Sequence, residues 1–423
     1  MSGSNRYTAT EASRLIAAGK LTAVGLAEDC LARVAEREHD VRAWTYMDAE
    51  QVLALARMRD REVRRSPLHG IPVGVKDIID TADMPTEYGS PIYAGHRSQW
   101  DAACVALLRK AGAIIMGKTV TVELAVRHPG KTRNPRNLAH TPGGSSSGSA
   151  AAVADDMVPL ALGTQTGGSV IRPSAYCGVV GLKPTFNIIN RAGVKPNSES
   201  LDTVGLMARS VSDAALMLAA MTGQPAQALQ PHKPRIGFYR TPQWARADDT
   251  TRSLLDEAVP RLAKAGASIR EITLPGPFDG MEAAHGRIND YEMSRAFAYE
   301  REVHAEKISA TLMAKIRQSD ACTYDEYIVA QSHAAACRAL LADAFSDIDV
   351  LLVPSAPGEA PAGLATTGES TFNRIWTALH VPAVTLPVFT GPTGLPIGAQ
   401  LIGPFGADLK MLACAEWVHR ALT

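Results

Sequence analysis

The chain reads as an α/β protein with helices packed on both faces of a sheet. Three stretches carry that reading, each placing an amphipathic helix just before a short apolar run, the alternation that layers helices on a sheet. In the first, Asp101 can cap a helix through Val105, Leu107 and Leu108 to Lys110, and residues 113–116 follow as a buried strand. The second lies around Arg261-Leu262-Ala263-Lys264-Ala265-Gly266. The third runs from residues 336–345 into Val350-Leu351-Leu352-Val353. At the start of the chain, Thr8 and Glu11 form a capping-box pattern ahead of Leu15 and Ile16. A first helix is expected there, with a second at about 23–37 beyond Gly19.

At 423 residues the length allows two or three average domains, but large single domains also reach this size. The chain is read as one domain, 1–423. Basic and acidic residues number 43 each, so no net charge draws the protein to nucleic acid or to an anionic membrane. The expected partner is a small molecule, with a homodimer compatible. Six cysteines without CxxC spacing fit reduced thiols in a chain large enough to bury a core without staples. Residues 1–8 lack the charged-then-apolar order of a signal peptide, and no apolar run approaches a membrane span. A cytoplasmic location is expected. There is no internal repeat, and no biased segment beyond the Gly/Ser run at 143–149.

The chemistry concentrates in three places. Gly143-Gly144-Ser145-Ser146-Ser147-Gly148-Ser149 is followed by Gly163-Thr164-Gln165-Thr166-Gly167-Gly168-Ser169, and upstream stands Gly70-Ile71-Pro72-Val73-Gly74-Val75-Lys76-Asp77. Glycines beside a hydroxyl let backbone approach a ligand closely and aim several N–H groups at one point, as oxyanion stabilisation requires. A lysine can serve as base if burial strips its proton, and Val73, Val75, Ile78 and Ile79 give Lys76 apolar neighbours. Two other patterns are set aside. Gly112-Ala113-Ile114-Ile115-Met116-Gly117-Lys118-Thr119 matches the P-loop spacing, but its interior is an apolar strand rather than a cradle of exposed N–H groups. Gly144-Ser145-Ser146-Ser147-Gly148 matches a nucleophile elbow on Ser146, yet His333, His380 and His419 sit in no supporting motif, and HExxH is absent.

These segments, with Cys177-Gly178-Val179-Val180-Gly181-Leu182-Lys183-Pro184-Thr185, Leu201-Asp202-Thr203-Val204-Gly205 and Gly394-Leu395-Pro396-Ile397-Gly398-Ala399-Gln400, resemble the amidase signature family over more than half the chain. The resemblance implies one large, mixed, twisted β-sheet covered by α-helices on both faces. The signature core would span about 69–215, and a divergent helical region at about 224–343 would wall the substrate pocket. It also implies a Ser-Ser-Lys triad in which Ser169 is the nucleophile, Ser145, after a cis peptide bond, the bridge, and Lys76 the base. The backbone N–H groups of Thr166, Gly167, Gly168 and Ser169 would form the oxyanion hole, with no cofactor and no metal. Asp77, Glu123 and Asp202 are read as hydrogen-bonding local backbone, and Ser146 and Ser147 as shaping their loop.

The implied reaction is cleavage of a small-molecule amide through an acyl-enzyme on Ser169. Carbamates and aryl anilides are alternatives that the triad does not distinguish, and the amidase subunit of a tRNA-dependent amidotransferase is a further one. Arg172 stands three residues after Ser169, and with Gln165 this is similar to the malonamidase-like subgroup, where such an arginine binds a substrate carboxylate. It can equally pair with a protein carboxylate and brace the loop. Gly144 is expected beside the substrate, and His128, Asn134 and Arg191 can border the pocket. Tyr291, Met293, Phe297, Tyr299 and Tyr327 are expected in its outer wall, or in helix packing.

Overall fold

A computed structural model describes residues 3–126, 128–224 and 228–423. Its first helix, Ala9–Ala17, starts where the sequence expects, with the Thr8 side chain accepting from the Glu11 N–H at 3.1 Å. The second, Ala23–Val41, runs a turn further than expected. The anticipated helix-to-strand steps are all present: Ala103–Lys110 into Ile114–Thr119, Asp249–Lys264 into Ser268–Ile272, and Tyr324–Ala344 into Val350–Pro354. One detail differs. The cap of the Ala103–Lys110 helix is Ala102, without a side-chain bond, and Asp101 instead accepts from the Ala82 N–H and pairs with Arg109 at 3.0 Å. An arginine within reach outcompetes the cap for that carboxylate.

Among the described residues, 11 strands form one sheet. They are β1 (Trp44–Met47), β2 (Pro72–Lys76), β3 (Ile114–Thr119), β4 (Leu160–Gln165), β5 (Val180–Lys183), β6 (Thr203–Ala208), β7 (Arg235–Tyr239), β8 (Ser268–Ile272), β9 (Val350–Pro354), β10 (Ala383–Thr390) and β11 (Pro396–Ile402). Their order is β1-β3-β2-β4-β6-β5-β10-β11-β9-β7-β8. The sheet is mixed: β2 runs parallel to β3 and β4, and β7 to β8 and β9, while the pairs that join these blocks are antiparallel. Every residue of β2, β3, β4, β5, β6 and β9 is buried, so both faces of the sheet are covered. The edge strands β1 and β8 are the most exposed.

The position that matters for the site is the carboxyl end of the β2/β4 pair. Val73, Gly74 and Val75 register with Leu160, Ala161 and Leu162, so Lys76 ends its strand beside Gly163, two residues before β4 ends at Gln165. The helix Ser147–Ala154, built almost wholly of Ser, Gly and Ala, lies close on β2, β3 and β4 because its side chains are short. At Gly148 the approach is closest: a Cβ there would fall inside contact distance of the Ala43 carbonyl and the Val120 N–H. The P-loop-like stretch is β3 itself, with Lys118 buried beneath the surface and bonded to the Ile79 carbonyl and Thr86 hydroxyl at 2.6 Å. No phosphate could reach it.

Gly148→Ala should therefore destabilise the fold by about 1–3 kcal/mol, the usual cost of overpacking against backbone that cannot move away. Gly286→Ala, on a helix facing open space, should be neutral or raise stability by up to about 1 kcal/mol. Urea denaturation of both variants checks the contrast; equal stabilities would show that the 147–154 helix has room to shift.

Candidate active site

Lys76 is fully buried, and its Nζ donates to two hydroxyls, Ser145 Oγ at 2.7 Å and Thr164 Oγ1 at 2.8 Å. Thr164 comes from β4, two residues beyond Leu162 and so on the same face; Ser145 comes from the Gly/Ser run ahead of the 147–154 helix. The Gly144–Ser145 peptide bond is cis. Ser146 does not face the cleft. Its hydroxyl donates to the Thr164 carbonyl and accepts from the Thr164 N–H, both at 3.2 Å, and its own N–H donates to the Ser169 carbonyl at 3.3 Å. Backbone bonds thus stitch the two Gly/Ser segments together, and Ser145 and Ser169 line one cleft of about 520 Å³.

Burial lowers the Lys76 pKa from its ordinary value to about 7, because the ammonium form has lost its water; the charge of Asp202 opposes the shift. Lys183 is lowered to about 7 in the same way, and Lys118 to about 8. A depressed pKa therefore does not single out Lys76. Its partners do: Lys183 donates to the Pro184 carbonyl, which has no proton to give, and Lys118 sits 3.6 Å from Asp77. Among the described residues Lys76 has no ion-pair partner, and it touches a hydroxyl that reaches the cleft.

The loop 166–169 is anchored through its carbonyls. His285 Nε2 holds the Thr166 carbonyl at 2.8 Å, Thr377 Oγ1 donates to that of Gly167 at 3.0 Å, and the Arg172 N–H donates to that of Gly168 at 3.0 Å. Among the described residues, the N–H groups of Gly167, Gly168 and Ser169 donate to no protein acceptor. Gln165 braces the next turn: its Oε1 accepts from the Val170 and Ile171 N–H groups at 2.9 and 3.1 Å, and its amide donates to Thr377. Gly168 has no room for a side chain, since a Cβ would meet Ser370 at 2.7 Å and press on Asn373. Such a loop presents donors at fixed positions, the requirement for stabilising an anion formed in the cleft.

Arg172 lines the same cleft. Its guanidinium donates to the Gly144 carbonyl at 2.5 Å, the Gly368 carbonyl at 3.0 Å and the Thr367 hydroxyl at 3.1 Å, tying the 365–370 loop to the Ser145 segment. Gly144 is buried beneath Thr367, with its carbonyl engaged by that arginine. Two of the three carboxylates hold local backbone, Asp77 accepting from the Glu87 N–H and Asp202 from two backbone N–H groups and the Thr166 hydroxyl, whereas Glu123 accepts from the distant Ser309 N–H, 186 positions on. Among the described residues, no group of three or more His, Cys, Asp and Glu side chains is placed to hold a metal, and no helix is long and apolar enough to cross a membrane.

Several expected pocket residues lie elsewhere. Tyr291 stacks on Tyr327 at 4.3 Å, Met293 and Phe297 are wholly buried in the core, and Tyr299 is exposed. Large apolar side chains are held by helix packing, and the helix Met281–Ala296 turns His285, Gly286, Asn289 and Asp290 to the cleft instead. Opposite it, the helix Ala310–Asp320 contributes Thr311, Lys315 and Gln318, with Lys315 paired to Asp290. His128 is exposed; Asn134 is fully buried, bonding the Thr141 and Tyr176 carbonyls; Arg191 packs over Phe186. None of the three histidines weighed for an elbow lines the cleft. Thr164 and His285 are the partners that sequence reasoning missed. Thr164 stood inside a recognised segment, but nothing in the sequence marks His285, whose bond spans 119 positions.

Comparison with known proteins fits this geometry. The Amidase family profile matches residues 26–412. The chain is 32% identical to one of the subunits of the glutamyl-tRNA(Gln) amidotransferase of Symbiobacterium thermophilum, covering 98% of this chain and 96% of that one in an alignment of 480 positions. A crystal structure of an amidase superposes with a TM-score of 0.91 at 30% identity, covering 99% of this chain and 100% of that one. The peptide amidase of Stenotrophomonas maltophilia gives 0.84 at 30% identity, with coverages of 99% and 97%. Fold and matches together define an enzyme that hydrolyses carbon–nitrogen bonds. The chain belongs to the amidase family.

The lysine environment makes a prediction about stability. With a folded-state pKa near 7, Lys76 binds fewer protons folded than unfolded between about pH 7 and its ordinary value of 10.5. Its contribution to stability must then rise with pH across that window. Lys76→Met, uncharged and of similar length, should be more stable than wild type at pH 7, with the advantage shrinking as pH approaches 10. Paired urea titrations measure this difference, and an advantage independent of pH would contradict the burial of a strained amine.

Proposed function

We propose that the chain hydrolyses the amide bond of a polar small molecule through an acyl-enzyme on Ser169. The observation that carries this is the Lys76–Ser145 hydrogen bond, buried at the floor of a cleft that Ser169 also lines. Neutral Lys76 takes the Ser145 proton while Ser145 takes that of Ser169, whose oxygen attacks the amide carbon. The backbone N–H groups of the 166–169 loop stabilise the resulting oxyanion. Ser145 returns a proton to the amine as the C–N bond breaks, and water then cleaves the ester by the reverse route. Chain residues 1–423 act here as one catalytic unit, without a cofactor.

The cleft wall narrows the substrate. Asn289, Thr311 and Gln318 are polar and uncharged, Lys315 pairs with Asp290 and Arg374 with Glu282, and Glu369 adds a carboxylate that disfavours an anionic substrate. The bonds that Arg172 makes to two carbonyls and a hydroxyl support its reading as a brace. Neutral polar amides are therefore favoured over half-amides of dicarboxylic acids, and carbamates and aryl anilides belong in the same test panel. A second reading, the amidase subunit of an amidotransferase, is favoured by the relative from Symbiobacterium thermophilum. Against it, that alignment spans 480 positions to this chain's 423 residues, so the relative carries segments that this chain lacks. Mass-spectrometric product analysis with small amides, half-amides, anilides, carbamates and glutamine separates these readings. Co-elution with a partner protein, together with glutamine as the preferred substrate, would establish the second.

A fluorophosphonate should add once to the intact protein, on Ser169, and labelling of Ser146 would overturn the assignment. Turnover should rise with pH through about 7 as Lys76 loses its proton. Lys76→Ala should lower kcat by about 10²–10⁴-fold, the range of general-base assistance, and abolish that limb of the pH profile. In Arg172→Ala, a brace predicts equal loss of kcat/KM for malonamate and for its neutral diamide; a selective loss for malonamate would assign a carboxylate site instead.

A further inference from the structure

We infer that His285 is a positioning residue for the oxyanion loop: its Nε2–H, donated to the Thr166 carbonyl, turns the Gly167 N–H toward the scissile carbonyl. The bond measures 2.8 Å and joins two segments far apart in the chain. The Thr166–Gly167 peptide is trans, so its N–H points opposite to its C=O. Holding the carbonyl therefore aims the N–H, and that N–H is one of the three with no protein acceptor among the described residues. Thr377 and the Arg172 N–H do the same for the next two peptides. Of the three anchors, His285 comes from the helix that also gives the cleft Gly286, Asn289 and Asp290.

Three further observations fit this role. The ring is 4% exposed and lies beside Gly167, where an added Cβ would stand 3.8 Å from its Cε1. Burial lowers its pKa to about 4, against the pull of its bond to Thr166, with Arg374 and Lys315 lowering it and Asp290 raising it. At neutral pH it thus carries one N–H, and a carbonyl partner requires that proton on Nε2. Nε2 itself cannot act as a base towards Ser169 while it carries that proton, and Nδ1 is the ring's remaining acceptor.

The inference rests on Ser169 as nucleophile, which the labelling experiment decides independently. If wild type is not labelled there, the catalytic reading falls; labelled wild type with an indifferent His285 overturns only this proposal. The test compares His285→Gln, which keeps a donor at similar reach, with His285→Met, of similar length but without one. His285→Met should lower kcat by about 10–100-fold with KM within about twofold, somewhat less than outright loss of an oxyanion donor, while His285→Gln stays within about threefold of wild type. Equal losses in both variants, a loss confined to KM, or unchanged turnover in His285→Met would each overturn it. In wild type, ¹⁵N-histidine NMR should show His285 with its proton on Nε2, and a proton on Nδ1 overturns the proposal without any variant.

Discussion

An amine shut away from water with two hydroxyls as its hydrogen-bonding partners is the constraint around which this molecule is built. Among the described residues no carboxylate pairs with Lys76, so the more distant charge of Asp202 offsets only part of the cost of removing an ammonium ion from water, and the neutral form gains. That requires an interior strand end, since an edge strand would admit solvent. β2 meets the requirement because β3 and β4 flank it and the small-residue helix 147–154 seals its face. The parallel register of β2 and β4 then delivers Thr164 to the same point as Lys76. Sheet order, helix composition and proton chemistry are one arrangement seen at three scales.

The second requirement is a loop that presents N–H groups and does not relax. Free backbone donors in a cleft tend to turn inward and pair, and what prevents this here is that the opposite ends of the same peptides are already engaged. Gln165 adds a side-chain acceptor at the entry to the helix Ile171–Cys177, and Arg172 ties the loop to the 365–370 segment. Anchoring thus combines residues that flank the loop, Gln165 and Arg172, with His285 and Thr377 from elements distant in sequence.

That distribution explains what the sequence disclosed. The capped first helix, the helix-to-strand steps and the three segments bearing Lys76, Ser145 and Ser169 were legible because each depends on local composition and spacing. The mixed sheet came only through the family resemblance, and the strand order was not anticipated at all. Thr164 was within reach, since a strand alternation places it beside the end of β2. His285 and Thr377 were not, because their bonds to the loop span 119 and 210 positions and involve residue types common in any helix. Of the two readings of the middle region's large side chains, Met293, Phe297 and the stacked Tyr291 and Tyr327 take helix packing, since their apolar area is best buried between helices, which leaves smaller polar residues to face the cleft.

The helix Met281–Ala296 carries both a wall of the cleft, through Gly286, Asn289 and Asp290, and the anchor of the Thr166 carbonyl, through His285. Residues 285 and 289 are one turn apart on the same face, so neither can be moved without rotating the other. A lineage that remodels this wall to accept a new substrate is confined to changes that keep the helix in place. Single substitutions at 286 and 289 are open to it, whereas insertions or a shift in helical phase are not. Diversification of this cleft should therefore proceed by exchanging side chains on a fixed helix, with length changes directed to segments such as 365–370 that hold the site from their ends.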